Sequence, residues 1–245
     1  MTVSSGLGAQ LFVDQYDLSG DAGAVTRMAM PSGVLLFTNI TMSAEARGYA
    51  HVDGALDFIS YFNDATDQQL LALRAKGSGA DRVASYLQGS VIGNMAFGLV
   101  AKQITFDGNR GTDGSLTFTT QCLANGYGSN FGEQLTAGKR TDTIATNGTS
   151  LNNGAATAFG LVVYVHLFSF SGTSVTIAVQ QSSDNGGGDP FANILATSAL
   201  NTPQAVVLRT ATVTTAVKQY LRVVTTGTFS NAVFAVHASR YAYAV

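Results

Sequence analysis

The chain carries little charge. Only 11% of its 245 residues are Asp, Glu, Lys or Arg, and the formal net charge is −2. That excludes a charged disordered tail and a basic surface built to grip nucleic acid. It has a single cysteine, Cys122, so no disulfide framework holds the fold. With no histidine nearby in sequence, that thiol reads as buried and inert. No segment approaches the roughly 20 apolar residues of a membrane-spanning helix. The opening MTVSSGLGAQ lacks the basic start and apolar centre of a secretory signal, so the expectation is a soluble protein not exported by that route. Prolines number three, and Pro190 and Pro203 fall in loops where they interrupt no ladder.

Hydrophobic residues make up 46% and glycines number 27. The chain is therefore long and apolar enough for one large or two small domains. A free monomer usually carries about 25% charged residues. Charge this sparse points to surfaces covered by neighbours, and hence to self-assembly.

The two halves differ. Residues 1–150 hold 13 acids and 9 bases, a balance of −4, whereas 151–245 hold 2 acids and 4 bases, a balance of +2. The change falls at ATNGTSLNNGAAT, a stretch without hydrophobic period that reads as a linker. Two domains are expected, 1–152 and 153–245.

GVLLFTNI, ALDFISYF, RVASYLQG, FGLVAKQITF and GSLTFTTQCLA in the first half alternate as half-buried strands do. TDQQLLALRAKG is the one helix, with a capping box of Thr66 and Gln69, a shared face of Leu70 and Leu73, and Gly77 at the C-cap. In SLTFTTQC, Leu116, Phe118, Thr120 and Cys122 face the core, while Ser115, Thr117, Thr119 and Gln121 form a neutral polar row. The second half reads as a small antiparallel β-sandwich, with turns at SDNGGGDP and TGTFSN. The fold class is mainly β with one short helix.

No stretch of the sequence assembles an acid, a base and a nucleophile. YGSNFGEQLTAGKRTDT superficially suggests a phosphate-binding loop, but five residues separate Gly132 from Gly138 and Arg140 replaces the required hydroxyl after Lys139. His51, His166 and His237 are scattered, which gives no metal-ligand spacing and points to structural roles. Asp14, Asp17 and Asp21 do not make a calcium loop and read as a capped, turn-rich segment. Asp107 and Asp113 flank GNRGT, a hairpin connection. The triplets NIT at Asn39 and NGT at Asn147 are read as accidental. No catalytic residue, metal or cofactor is assigned, and the chain is not expected to be an enzyme.

Three stretches, VDQYDLSGDAGAV, LVAKQITFDGNRGTDGSLTF and NGYGSNFGEQLTAGKRTDTIATNG, resemble the tail tube (major tail) proteins of long non-contractile-tailed bacteriophages. The similarity spans most of residues 10–150. It extends more loosely to a C-terminal domain similar to the immunoglobulin-like or carbohydrate-module-like domains appended to such proteins. The resemblance implies a virion protein made in the host cytoplasm. It would assemble with itself into stacked six-membered rings, with inner sheets joined into a barrel, and meet other tail proteins at the tube ends. DNA would pass through the lumen without specific binding.

On that basis the polar row Ser115, Thr117, Thr119 and Gln121, with Gln103, Thr105 and Asp107 on the preceding strand, is expected to face the lumen. Neutral or acidic groups there would let DNA slide, whereas Lys and Arg would hold it. Ring stacking is assigned to the N-terminal arm, residues 1–12 with Leu7, and to the long connection from TRMAMPSGV through MSAEARGYAHVDG, with Met28, Met30 and Met42. The alternative is a virion decoration or adhesion protein whose C-terminal β-sandwich binds host glycans weakly through aromatics such as Tyr241 and Tyr243.

Overall fold

The computed structural model describes residues 6–74 and 79–240, so Gly77, Tyr241 and Tyr243 lie outside the described residues. Strands β1 (Gln10–Val13) and β2 (Tyr16–Asp17) form a tight hairpin, followed by β3 (Ala22–Ala29). A separate two-stranded hairpin comprises β4 (Ser32–Leu36) and β5 (Arg47–Val52). Then come β6 (Ala55–Tyr61), helix α1 (Gln69–Leu73), β7 (Arg82–Leu87), and the long strands β8 (Met95–Arg110) and β9 (Leu116–Gln134). Short β10 (Arg140–Asp142) and β11 (Leu151–Asn152) lead to β12 (Val162–Ser182), β13 (Ala192–Ala196), β14 (Gln204–Arg209) and β15 (Tyr220–Ser239). All pairings between these strands are antiparallel. The mainly β class with one short helix is as the sequence pattern predicts.

Helix α1 is shorter than the pattern suggests, and its capping differs. Asp67 adopts a left-handed φ of 61°, and the N-cap is Gln68 with no side-chain cap. The missing cap comes from far away. The Asp21 carboxylate accepts the Gln69 backbone N–H at 2.9 Å and the Asn63 amide at 2.7 Å. Ala72 and Leu73 seal the helix onto the first core, beside Leu56, Phe58, Phe97, Leu99 and Cys122.

A second core gathers Val163, Val165, Ile177, Val179, Val223, Phe234 and Val236, with Leu135 just after β9. The stretch read as a linker is pinned rather than free. Gly148 N–H donates to the Val223 carbonyl at 2.7 Å, Thr146 N–H to the Thr225 carbonyl at 3.2 Å, and β10 and β11 pair with β15.

Between the cores lies a seam where strand alternation serves two layers at once. Ala84 and Tyr86 of β7 enter the first core while Ser85 and Leu87 face the second half. Val163 and Val165 of β12 enter the second core while Tyr164 and His166 face the first. Phe12, Leu87, Ala96, Ala235 and Phe168 form the seam's apolar part. Gly98 is required there, because a Cβ would stand 2.6 Å from His237 Cε1 and 3.1 Å from Tyr164 Cδ1.

Candidate self-assembly surfaces

The β8–β9 hairpin runs on past the end of β7. Its inner half pairs with β7 from Ala96 to Ala101, but beyond Ala101 the outer edge of β8 has no strand partner among the described residues. On the other side, β9 pairs with β6 from Thr117 to Leu123, and β6 pairs with β3. The result is a four-stranded patch in the order β3–β6–β9–β8, with both outer edges unpaired among the described residues.

One face of this patch collects the expected polar row. Thr105 lies opposite Gln121, Asp107 opposite Thr119, and Asn109 opposite Thr117. The rows continue onto β6, where Asp57 lies opposite Gln121, Ile59 opposite Thr119 and Tyr61 opposite Thr117, and onto β3, where Arg27 lies opposite Asp57. Arg27 and Asp57 are 3.9 Å apart. With Asp107 the face is neutral to acidic. The hydroxyls are tied into the ladder: the Gln121 N–H donates to Thr105 Oγ1 at 3.0 Å, and Thr117 Oγ1 donates to the Asn109 carbonyl at 3.4 Å. The opposite face carries Phe106 and Phe118, stacked 4.6 Å apart.

Two expected members of the row sit elsewhere. A bulge between Gln103 and Thr105 inserts Ile104 and reverses the alternation, so Gln103 pairs with Cys122 and turns inward. It is only 8% exposed, and its Nε2 donates to the Leu73 carbonyl at 2.9 Å. Ser115 belongs to the hairpin turn, where its N–H and Oγ–H both donate to Asp113 Oδ1 at 3.0 and 2.7 Å. Those bonds hold the Asp113 carboxyl below the ordinary carboxylate range.

The second surface is the β4–β5 arm. GVLLFTNI was expected to be a half-buried strand, and the following residues a loop. Instead both belong to a hairpin that forms no ladder with the main sheet. Val34, Leu35, Leu36, Phe37, Ile40, Met42 and Tyr49 are all exposed, Ile40 completely and Tyr49 at 86%. The run Val34–Phe37 is contiguous and apolar and lacks the strict alternation of a half-buried strand. Residues 28–44 contain no charged side chain. The tip is shaped by Asn39, whose Oδ1 accepts the Thr41 N–H and hydroxyl at 3.0 and 2.6 Å. An isolated two-stranded hairpin is at best marginally stable in water, and a contiguous exposed apolar patch marks an interaction surface.

Of the residues assigned to stacking, Met42 lies on this arm and Leu7 is 88% exposed in the N-terminal segment. Met30 is half-buried just before β4, and Met28 packs on the first core.

The remaining sequence candidates spend their polar groups within the chain. Lys139 pairs with Asp17, and Arg140 binds Asp142 through two bonds of 2.8 Å, so neither cation of GKR is left for phosphate. The Asp14 carboxylate accepts Arg82 Nη1 at 3.0 Å and the Val83 N–H at 2.9 Å. The two seam histidines were placed in strands from sequence, but their partner Ser85 was not foreseen. Ser85, His166 and His237 meet within hydrogen-bond distance but are sealed from solvent, so no substrate reaches them. No helix among the described residues is long and apolar enough to cross a membrane.

No protein-family model matches the chain, and no curated protein matches it in sequence. Among solved structures, the Dit protein of phage SPP1, described as a hub of the adsorption apparatus in phages that infect Gram-positive bacteria, aligns at 12% identity and a TM-score of 0.34. The match covers 94% of this chain and 98% of that one. A chain of the activated phage p2 baseplate with strontium aligns at 7% identity and 0.33, covering 95% and 99%. One from the same baseplate with calcium aligns at 10% and 0.32, covering 94% and 97%.

Proposed function

We propose that this chain is a structural phage-tail protein that closes into rings through the two free edges of the β3–β6–β9–β8 patch, and that stacked rings form the tail tube. The observation that carries the reading is the strand count. Four antiparallel strands leave β3 and β8 running in opposite directions, so head-to-tail joining of β8 to the next copy's β3 continues an antiparallel ladder without a break. Closure removes both exposed edges. A ring of roughly six copies, the number implied by the resemblance to tail tube proteins, would hold about 24 strands. At about 4.8 Å per strand and a tilt near 40°, the barrel is about 48 Å across between backbones, wider than a DNA duplex.

In that ring Thr105, Asp107, Thr117, Thr119 and Gln121 line the lumen. Their neutral to acidic face releases no counterions from DNA and so leaves it free to slide. The apolar arm buries its side chains against the adjoining ring, and the second half, beyond about residue 152, faces outward. Negative-stain microscopy of the concentrated chain tests this reading. Open-ended tubes support it; single rings that never stack would instead fit a hub, the role described for the SPP1 protein. A small closed oligomer that binds glycans would replace it with the adhesion reading.

A further inference from the structure

The seam between the two cores holds a polar cluster that assembly does not use. Ser85 Oγ lies 2.8 Å from His166 Nε2 and 2.8 Å from His237 Nε2. His166 Nδ1 lies 2.6 Å from the Asp14 carbonyl oxygen. A carbonyl only accepts, so His166 Nδ1 carries a hydrogen. In the neutral ring Nε2 is then the acceptor for the Ser85 hydroxyl. Ser85 Oγ in turn accepts the Nε2–H of His237. One neutral chain of donors thus connects the β1–β2 turn, β7, β12 and β15. Beside it, Tyr164 stacks on His237 at 4.7 Å and donates its hydroxyl to Asn130 at 2.8 Å.

Among the described residues no carboxylate stands ready to receive a charged imidazole here. The Asp14 carboxylate is committed to Arg82 and the Val83 N–H. Asp17 is committed to Lys139, which lies over the Phe168 ring. The other cation nearby, Arg209, faces Tyr164 and stacks on Tyr127. A proton on His166 also turns Nε2 into a donor and takes the acceptor away from the Ser85 hydroxyl. Burial accordingly pushes His166 down to about 4 and His237 well below the ordinary histidine value, the charge of His166 lowering His237 further.

We propose that the Ser85–His166–His237 cluster is an acid-opened latch between the two halves of the chain, which part at the seam while each keeps its own core. Three features make the seam the place that yields. Its apolar part is small beside either core. The β9–β15 ladder across it has only two residue pairs, His237 with Gln134 and Ala238 with Glu133. The closed arrangement also requires both rings to be neutral. The opened state regains two ordinary histidines, so it binds more protons than the closed state from about pH 6.5 downward. The latch is therefore fully closed above that pH and loses hold as pH falls towards the closed-state values.

Hydrogen exchange of the full chain, read by mass spectrometry from pH 7.5 to 4.5 and corrected for intrinsic rates, tests the latch. Protection of a peptide covering residues 234–239, whose edge pairs with Gln134 and Glu133 across the seam, should fall by up to about tenfold per pH unit for each histidine protonated. Peptides from 82–87, 116–122, 162–167 and 175–179, whose ladders lie within one half, should stay protected. His237→Gln keeps a donor near Nε2 but cannot ionise, so the acid response should shrink to that of one proton. Ser85→Ala, which keeps both imidazoles, should lower seam protection already at pH 7.5. A 234–239 peptide as protected at pH 4.5 as at 7.5 would overturn the proposal. So would loss of seam and core protection in one common step.

Discussion

Replacing Leu36 and Ile40 on the arm by Ser should abolish assembly while leaving the fold intact. Ile40 is fully exposed and Leu36 is 64% exposed, so neither contributes much to the isolated chain. The double variant should match the parent's stability to within about 0.5 kcal/mol per site, as surface substitutions do. Burying a Leu or Ile side chain completely contributes about 1.5–3 kcal/mol. Counting all of Ile40 and the exposed two thirds of Leu36, each arm loses roughly 2–5 kcal/mol of docking energy. That weakens each contact by about 30- to 4,000-fold. Sedimentation velocity over a concentration series, beside a thermal melt, measures both quantities. An unchanged association midpoint would show that the arm is not an interface. A fall in melting temperature to match the loss of assembly would show that these side chains are needed by the fold.

Further outcomes follow from single contacts. If the proposed ring is right, Thr117→Lys with Thr119→Lys should leave it intact and make its lumen hold DNA in a salt-dependent way, so a virion carrying both should eject its genome slowly; unchanged ejection would remove these residues from the wall. Arg82→Met should cost about 3–5 kcal/mol in urea unfolding, because Arg82 is buried and holds both the Asp14 carboxylate and the Ala72 carbonyl, and its loss strands a charge. A cost below about 1 kcal/mol would mean Asp14 finds water instead. The Cys122 thiol, pushed up to about 12 by burial, should resist a thiol reagent at pH 8 and react once the chain is unfolded. Rapid labelling of the folded chain would contradict its burial.

Much of the fold was legible because alternation is local. The split of Thr117, Thr119 and Gln121 from Leu116, Phe118, Thr120 and Cys122 follows from period two alone, and the structure sets the two rows on opposite faces, with Thr120 and Cys122 buried and Leu116 and Phe118 half-buried. Gln103 shows where that logic fails. One inserted residue, Ile104, shifts the register, and nothing in KQITF announces a bulge. The helix cap failed for a different reason. Thr66 and Gln69 have the right spacing, but Asp21, 48 residues away, makes the bond, and no local motif encodes so distant a partner. The arm was misread because VLLF suits a buried strand as well as an exposed one. Only the missing neighbours reveal which it is. The seam was hidden too, since Ser85, His166 and His237 come together only when β7 packs on β12 and β15.

The most direct measurement is a cryo-electron microscopy map of the assembled chain at a resolution that follows strands. A ring closed through the free edges would show β8 of each copy paired antiparallel with β3 of the next, and Thr117 and Thr119 on the inner wall. A ring built through other edges, or one with that polar face outward, would contradict it.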